Sequence, residues 1–385
     1  MQKIAVIGCG TMGLGIAQIA AMQQHQVYVY DSNPIALQNA KIKLQKTLDS
    51  LVEKTKITNE QSLLYFQQVN WCEQIENISN CDLVIEAIIE DFEIKKQIFA
   101  KINLLVSPQC IIASNTSSLS ITSLAACVSH PQRFIGIHFF NPAPIMPLVE
   151  IIPAIQTDTN TISTATAIVS NWKKTIVQAK DTPGFIVNRV ARPYYGEAIR
   201  IYEEGIATKE QIDQIMRNEG GFRMGPFELM DFIGHDVNYA VTETVWKAFY
   251  FNSKYIPSFS QKRLVEAGYL GKKTGRGFYI ENESKDKLIE VDSELSRTVF
   301  ERILCMLLHE AADALYYKIA SRDDIDMAMA KGVNYPKGLL QWADDFGIEK
   351  CVSILDYYFD YYHEERYRCS VLLRNMANDR INFYN

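Results

Sequence analysis

The chain has no CxxC pair, no run of 18 apolar residues and little surplus of either charge. Its eight cysteines are scattered, several of them inside apolar runs, which excludes a disulfide framework and a zinc site and leaves no metal to be expected. Without a long apolar run, no membrane-spanning helix is expected. A net charge of −6 over 385 residues excludes a broadly basic binder, so neither nucleic acid nor an anionic membrane is an expected partner. Met1-Gln2-Lys3 leads straight into the strand-like run Ile4–Ile7, which leaves no room for a cleavable signal, and a cytoplasmic location is expected. What remains, 48% hydrophobic and 22% charged residues, describes a globular chain long enough for two or three folding units.

From residue 3 to about 179, short β-rich runs alternate with helical patterns, the signature of a parallel sheet covered by helices. Strands are predicted at 3–8, 26–31, 82–86, 110–114, 134–139, 148–152 and 175–179. From about 183 onward the pattern is helical, as in Val187–Tyr202, Lys209–Arg217 and Phe300–Tyr317. This half also repeats. A shift of 113 places lays Glu197-Ala198 on Glu310-Ala311, Ile212-Asp213 on Ile325-Asp326, and Gly225, Asp231 and Gly234 on Gly338, Asp344 and Gly347. The expected organisation is therefore a Rossmann-type doubly wound α/β domain at 1–182, a helical domain at 183–280, a linker at 281–294 and a second, diverged helical copy at 295–385.

Gly8-Cys9-Gly10-Thr11-Met12-Gly13 follows the first strand and opens a helix, and the second strand ends in Asp31. That context makes the glycine pattern a dinucleotide fingerprint. Gly8 allows the tight turn, Gly10 lets a pyrophosphate approach, and Gly13 lets the helix pack on the strand. Asp31 would accept hydrogen bonds from the ribose hydroxyls and repel a 2′-phosphate, so NAD is expected over NADP. The competing reading is a strand–helix turn that binds nothing.

Further along, Ser114–Ser118 follows the fourth predicted strand, and His138-Phe139-Phe140-Asn141-Pro142 lies where the fifth ends. Glu150 interrupts the apolar run Pro147–Ile152. Ligands bind at the carboxyl ends of strands in such sheets. Oxidation of a secondary alcohol needs a base for the hydroxyl proton, and a histidine tuned by a carboxylate supplies one near neutral pH. His138 and Glu150 form the natural pair. The alternative for His138 is a core histidine with a purely structural role.

These motifs closely resemble the L-3-hydroxyacyl-CoA dehydrogenase family. The resemblance is carried by Ile7–Gly15, Val84–Ile88, Ala113–Leu119, His138–Pro144, Asp181–Arg189, Met224–Leu229 and Gly271–Tyr279, and it runs nearly continuously through residues 1–280. It implies reversible NAD-dependent oxidation of an (S)-3-hydroxyacyl-CoA. His138 would be the base, Glu150 its partner, and Ser117 and Asn188 hydrogen-bond donors to the substrate oxygen. It further implies that Cys9, Thr11 and Met12 of the glycine loop, Asp31, Glu90, Lys95, Ser117 and Lys273 lie along the NAD. Thr47, Lys54 and Ser117 would meet coenzyme A. Independently, Lys41, Lys43, Lys46, Lys54 and Lys56 outnumber the acids in one short stretch, a local basic patch suited to phosphates. A solvated lysine face is the competing reading.

The second copy places Glu301 where the first has Asn188, so it is expected to hold no active site and to serve packing, the acyl pocket or dimer mimicry. A homodimer and a monomer with an internal partner both remain open. Residues 334–343 and 363–368 resemble the C-terminal repeat of bacterial two-repeat enzymes, including 3-hydroxyadipyl-CoA dehydrogenases of phenylacetate degradation, although those usually have a longer join. A 3-hydroxybutyryl-CoA or medium-chain enzyme of β-oxidation fits the same motifs. A non-catalytic NAD-binding protein and a sugar-acid dehydrogenase are the rivals from other classes.

Overall fold

A computed structural model of the chain describes residues 2–280 and 289–384, so most of the predicted linker, residues 281–288, lies outside the described residues. Residues 1–182 and 183–385 form two compact units.

The first unit is one eight-stranded sheet with helices between its strands. Its strands are β1 (Lys3–Ile7), β2 (Gln26–Tyr30), β3 (Val69–Cys72), β4 (Leu83–Glu86), β5 (Ile111–Ser114), β6 (Phe134–Phe139), β7 (Leu148–Pro153) and β8 (Thr175–Gln178). The helices are α1 (Thr11–Met22), α2 (Pro34–Glu53), α3 (Asn59–Gln67), α4 (Phe92–Leu105), α5 (Ile121–Ala125) and α6 (Thr159–Ser170). The sheet order is β3-β2-β1-β4-β5-β6-β7-β8, and the first six are mutually parallel, the doubly wound arrangement expected from the sequence. Central strands are buried, β1 from Ile4 onward and β4 over its whole length, which is why Ile4–Ile7 and Leu83–Ile85 read as continuous apolar runs.

Two features differ from the sequence reading. β3 was not predicted: its four residues include the exposed Asn70, and it becomes a strand only by pairing with β2, Val27 opposite Val69. β7 runs antiparallel to β6. Only residues 140–147 join them, too few for the crossover of a dozen or more residues that a parallel pair requires.

The second unit is helical, with isolated bridges at Gly271–Arg276 and Arg276–Ile280. α7 (Val187–Val190) and α8 (Arg192–Glu203) divide at Ala191 the stretch that the sequence presents as one helix. Then come α9 (Lys209–Asn218), α10 (Pro226–Ile233), α11 (His235–Ala248) and α12 (Phe259–Glu266). After the undescribed segment follow α13 (Ser293–Tyr316), α14 (Arg322–Gly332), α15 (Leu339–Phe346), α16 (Ile348–Tyr362) and α17 (Val371–Asp379).

α14, α15 and α16 start 113 residues after α9, α10 and α11, and the local chemistry repeats with them. Thr208 and Ser321 cap α9 and α14. Asp213 accepts the N–H groups of Phe227 and Glu228, and Asp326 those of Leu340 and Gln341. The repeated glycine follows from this contact. A Cβ on Gly225 would lie 2.3 Å from Asp213 Cα, and one on Gly338 2.3 Å from Asp326 Cγ.

The two copies also exchange charges. Arg189 Nε donates to Glu310 at 2.6 Å and Arg302 Nε to Glu197 at 2.6 Å, all four side chains being buried. Because 189 maps on 302 and 197 on 310, each copy gives its arginine to the other copy's glutamate. Such reciprocity is the contact pattern of a twofold, isologous interface. Phe222 and its equivalent Tyr335 meet ring to ring, with centroids 5.0 Å apart, as residues on such an axis do.

Candidate active site

The carboxyl ends of β1, β4, β5 and β6 fall on one edge of the sheet because these four strands are adjacent and parallel. The glycine loop, Glu86, the serine loop and His138 therefore share that edge.

Gly8 has φ +95°, a conformation open mainly to glycine, and a Cβ on Gly13 would sit 1.9 Å from the Gly8 carbonyl oxygen. Gly10 meets no such crowding: nothing lies within 4 Å of where its Cβ would project. It is the residue preceding α1, and it offers no side chain to cap that helix. The cradle of Gly8, Cys9, Gly10, Thr11, Met12 and Gly13 thus presents helix N–H groups to open space, which fits the pyrophosphate of a dinucleotide.

Asp31 follows β2 and is fastened to this loop. Its Oδ2 accepts from Cys9 N at 3.0 Å and Cys9 Sγ at 3.2 Å, and its Oδ1 from Asn33 N at 2.9 Å. Burial and the neighbouring carboxylate push the Cys9 thiol up to about 12, so the thiol stays protonated and keeps donating. Replacing Asp31 with alanine is expected to raise the KM for NADH about ten- to a hundredfold, since a hydrogen bond to a charged group contributes roughly 1.5–3 kcal/mol. It should also narrow the preference for NADH over NADPH. Steady-state kinetics with both cofactors checks this, and an unchanged KM would remove Asp31 from the ribose site.

Glu90 gathers the serine loop. Its Oε1 accepts from Thr116 Oγ1 at 2.6 Å, Ser117 N at 2.9 Å, Ser118 N at 3.1 Å and Ser118 Oγ at 2.9 Å. Burial alone would raise its pKa, but the Lys95 ammonium and these hydrogen bonds hold it below the usual carboxylate value. Lys95 is only 1% exposed. Its Nζ lies 2.5 Å from Glu86 Oε1 and 3.4 Å from Glu90 Oε2, so its charge is matched by two carboxylates. The wholly buried Glu86 also accepts from Ser114 Oγ at 2.6 Å and Ile88 N at 2.7 Å.

Sequence reasoning did not single out Glu86, Ser114 or Thr116 as site residues. The signal was present, because Glu86 closes an apolar strand just as Glu150 interrupts one, and a buried carboxylate needs partners. Asn115 was also missed; its Oδ1 accepts from Phe139 N at 2.8 Å and ties the serine loop to the residue after His138.

His138 on β6 and Glu150 on β7 are direct cross-strand partners, so their side chains leave the sheet on the same face. Nδ1 of His138 lies 2.7 Å from Glu150 Oε2, with the two side chains 7% and 0% exposed. A carboxylate on Nδ1 places the proton there and the lone pair on Nε2, the tautomer a general base requires.

The remaining predicted residues stand on other elements. Asn188 stands half-buried on α7 of the helical unit. Lys273 sits in the turn before Gly275 and pairs with Asp236 at 2.5 Å. Thr47 is on α2 and donates to Lys43 O at 2.8 Å, and Lys54 caps that helix. Leu37, Ala40, Leu44 and Leu48 form the buried stripe of α2, and Lys41, Lys43, Lys46, Lys54 and Lys56 are all exposed.

A doubly wound sheet with a glycine cradle, an aspartate after the second strand and a buried histidine–glutamate pair at one edge is the framework of an NAD-dependent dehydrogenase. Residues 3–182 match the NAD binding domain of 3-hydroxyacyl-CoA dehydrogenase, and residues 184–281 and 299–381 match the C-terminal domain of the same family. The chain belongs to the 3-hydroxyacyl-CoA dehydrogenase family and is an oxidoreductase that uses NAD. It is 36% identical to the 3-hydroxyadipyl-CoA dehydrogenase of Escherichia coli, with 98% of each chain covered. It is 40% identical to a probable 3-hydroxybutyryl-CoA dehydrogenase of Deinococcus radiodurans, covering 72% of this chain and 99% of that one. Among solved structures, a 3-hydroxybutyryl-CoA dehydrogenase from Escherichia coli superposes with a TM-score of 0.93 at 35% identity, with 98% of each chain covered.

Proposed function

We propose that the chain catalyses the reversible oxidation of an (S)-3-hydroxyacyl-CoA to the 3-oxoacyl-CoA. The buried 2.7 Å pair of His138 and Glu150, on the sheet edge that carries the glycine and serine loops, is the observation behind this reading. Nε2 of His138 takes the proton of the substrate hydroxyl, and Glu150 stabilises the imidazolium that results. NAD held at the cradle of Gly8–Gly13 would supply the acceptor for the hydride on C3. Ser117 and Asn188 donate hydrogen bonds to the oxygen as charge develops there. Glu90 holds the Ser117 backbone in place. Thr47 and Lys54, on the lysine-rich face of α2, receive the coenzyme A phosphates, while Lys273, Glu90 and Lys95 belong to the NAD side.

The assignment of Asn188 rests on its motif, Asp181–Arg189, and on the loss of that residue from the second copy, where Glu301 stands. The reciprocal arginine–glutamate exchange supports a chain whose second copy acts as its internal partner. The division into 1–182, 183–280, 281–294 and 295–385 draws support from the compact units 1–182 and 183–385 and from the 113-residue repeat of helices inside the second. A cytoplasmic location suits the eight cysteines, all of them free thiols.

Our preferred substrates are 3-hydroxybutyryl-CoA and medium-chain analogues of β-oxidation. A 3-hydroxyadipyl-CoA substrate is the second reading, favoured by the full-length similarity to the Escherichia coli enzyme of that name. Acetoacetyl-CoA reduction, followed with NADH and with NADPH, tests the reading. CoA-dependent turnover with NADH preferred is expected, and Lys54→Ala should raise the KM for the CoA substrate without lowering kcat. A wild type that turns over no 3-oxoacyl-CoA would overturn the function. An unchanged KM in Lys54→Ala would overturn only the coenzyme A assignment.

A further inference from the structure

Residues 140–147 connect β6 to β7 and so join the strand of His138 to the strand of Glu150. Much of this turn is exposed, including Asn141, Pro142, Pro144 and Ile145, yet it reaches two parts of the site. The ring of Phe140 packs on that of His138, with centroids 4.5 Å apart. Ala143 and Pro144 sit on α1 just beyond the glycine cradle: a Cβ on Gly15 would lie 3.2 Å from Ala143 Cβ and 3.0 Å from Pro144 Cδ. That contact accounts for the glycine at position 15, which lies outside the dinucleotide fingerprint.

One side chain from another strand anchors the turn. Pro142 O accepts from Ile145 N and Met146 N, both at 3.0 Å, which closes the turn on itself. The carbonyl oxygens of Ala143 and Met146 accept instead from Lys174 Nζ, at 2.6 and 2.7 Å. Lys174 immediately precedes β8, where Thr175 N donates to Pro147 O at 2.8 Å, so its stem starts beside the end of the same turn. Lys174 is half-buried, and burial pulls its ammonium down to about 8. It therefore keeps its proton at pH 7, and the two carbonyls compensate the lost hydration. The buried Lys95, in contrast, is matched by two carboxylates.

We infer that Lys174 is a positioning residue for the dehydrogenase reaction: by holding the 140–147 turn it keeps Phe140 against His138 and Ala143-Pro144 against the nucleotide helix. One anchor thereby sets the base relative to the helix whose N-terminus forms the cradle. The inference rests on the hydroxyacyl-CoA reading above and adds a residue that acts through the turn.

The test compares wild type with Lys174→Met, which keeps the stem and removes the donors, and with Lys174→Arg, which keeps charge and donors. In Lys174→Met, kcat for acetoacetyl-CoA reduction should fall by about ten- to a hundredfold, the scale on which small misplacements of reacting groups act. The KM for acetoacetyl-CoA should stay within about threefold, as for an interaction that serves the transition state. Lys174→Arg should restore most of kcat. In the protein without substrate or NADH, hydrogen exchange at the Ile145 and Met146 amides should quicken in Lys174→Met while that of β6 does not. A lowered melting temperature with kcat intact is the mark of a merely structural lysine and would overturn the inference, as would a lowered kcat with unchanged exchange in the turn. Gly15→Ala presses on the turn from α1 with Lys174 in place, so it should lower kcat in the same direction. It carries the comparison if Lys174→Met does not fold, and a wild-type kcat in Gly15→Ala would then overturn the role of the turn. Absence of any 3-oxoacyl-CoA turnover by the wild type would instead sink the function itself, and the exchange comparison, which needs no substrate, would still read the anchor.

Discussion

Replacing His138 with glutamine is expected to lower kcat for acetoacetyl-CoA reduction by about 10²- to 10⁴-fold, the usual contribution of a positioned general acid–base group. The KM values for substrate and NADH should move little. Glutamine can still donate a hydrogen bond to Glu150 from its amide, so the buried carboxylate keeps a partner and the sheet keeps its register. What glutamine lacks is a group that exchanges a proton near neutral pH. The structural reading of His138 predicts the opposite pattern, a lowered melting temperature with kcat intact. Stopped-flow absorbance of NADH together with thermal unfolding of the same preparation separates the two. Glu150→Gln should fall in the same direction but less steeply, because it removes the charge that stabilises the imidazolium and leaves the imidazole in place.

The second large effect concerns stability. Arg302→Ala is expected to destabilise the helical unit by about 3–5 kcal/mol, the range found when one partner of a buried ion pair is deleted and the other charge stays buried. Arg302 donates to Glu197, to both oxygens of Glu204, and to the hydroxyls of Tyr362 and Tyr367. Without it, the nearest cation that Glu197 retains in a salt bridge is Arg200 at 3.4 Å. The equivalent Arg189→Ala should cost less: each glutamate keeps a tyrosine hydroxyl, Tyr367 on Glu197 and Tyr255 on Glu310, but Glu310 also keeps Lys254 at 3.0 Å, closer than Arg200 is to Glu197, and Arg302 has Glu204 and two tyrosine hydroxyls to abandon as well. Denaturant unfolding of both variants checks the order, and equal losses would show that the two halves of the interface are not so unevenly supported.

Burial would raise the pKa of Glu197, but the guanidiniums of Arg302, Arg200 and Arg366, with the Tyr367 hydroxyl, together outweigh it and pull the value down from 4.5 to about 2. A carboxylate depressed on folding contributes stability above its unfolded pKa and loses it as pH falls through the folded one. The contribution of this pair should therefore fade between about pH 5 and pH 2, and Arg302→Ala should flatten that part of the stability profile.

Much of the nucleotide-binding unit is readable in the chain because its signals are local. A glycine loop must follow a strand and open a helix, and a charged residue in an apolar run must have a partner. His138, Glu150 and Asp31 were marked as candidates that way, and Ser117 by the resemblance of its motif. β3 and the antiparallel course of β7 were not, since a four-residue edge strand exists only through its neighbour, although the brevity of residues 140–147 could have given away the second. The serine loop shows the same division. Ser117 stands in a recognisable motif, whereas its support through Glu90, Lys95, Glu86 and Ser114 joins three separate stretches of chain.

The duplication makes the contrast sharper. The 113-residue shift, the paired glycine turns and the loss of Asn188 from the second copy are properties of residue order and need no coordinates. That Arg189 reaches Glu310 while Arg302 reaches Glu197 is a different kind of fact. These partners are more than a hundred residues apart, and burial of two guanidinium groups is tolerated only where folding brings a carboxylate to each. Motifs and their resemblance to a known family thus named the chemistry of the chain, and long-range packing chose which charges meet, because local patterns encode periodicity and turns but not the neighbours that the core supplies.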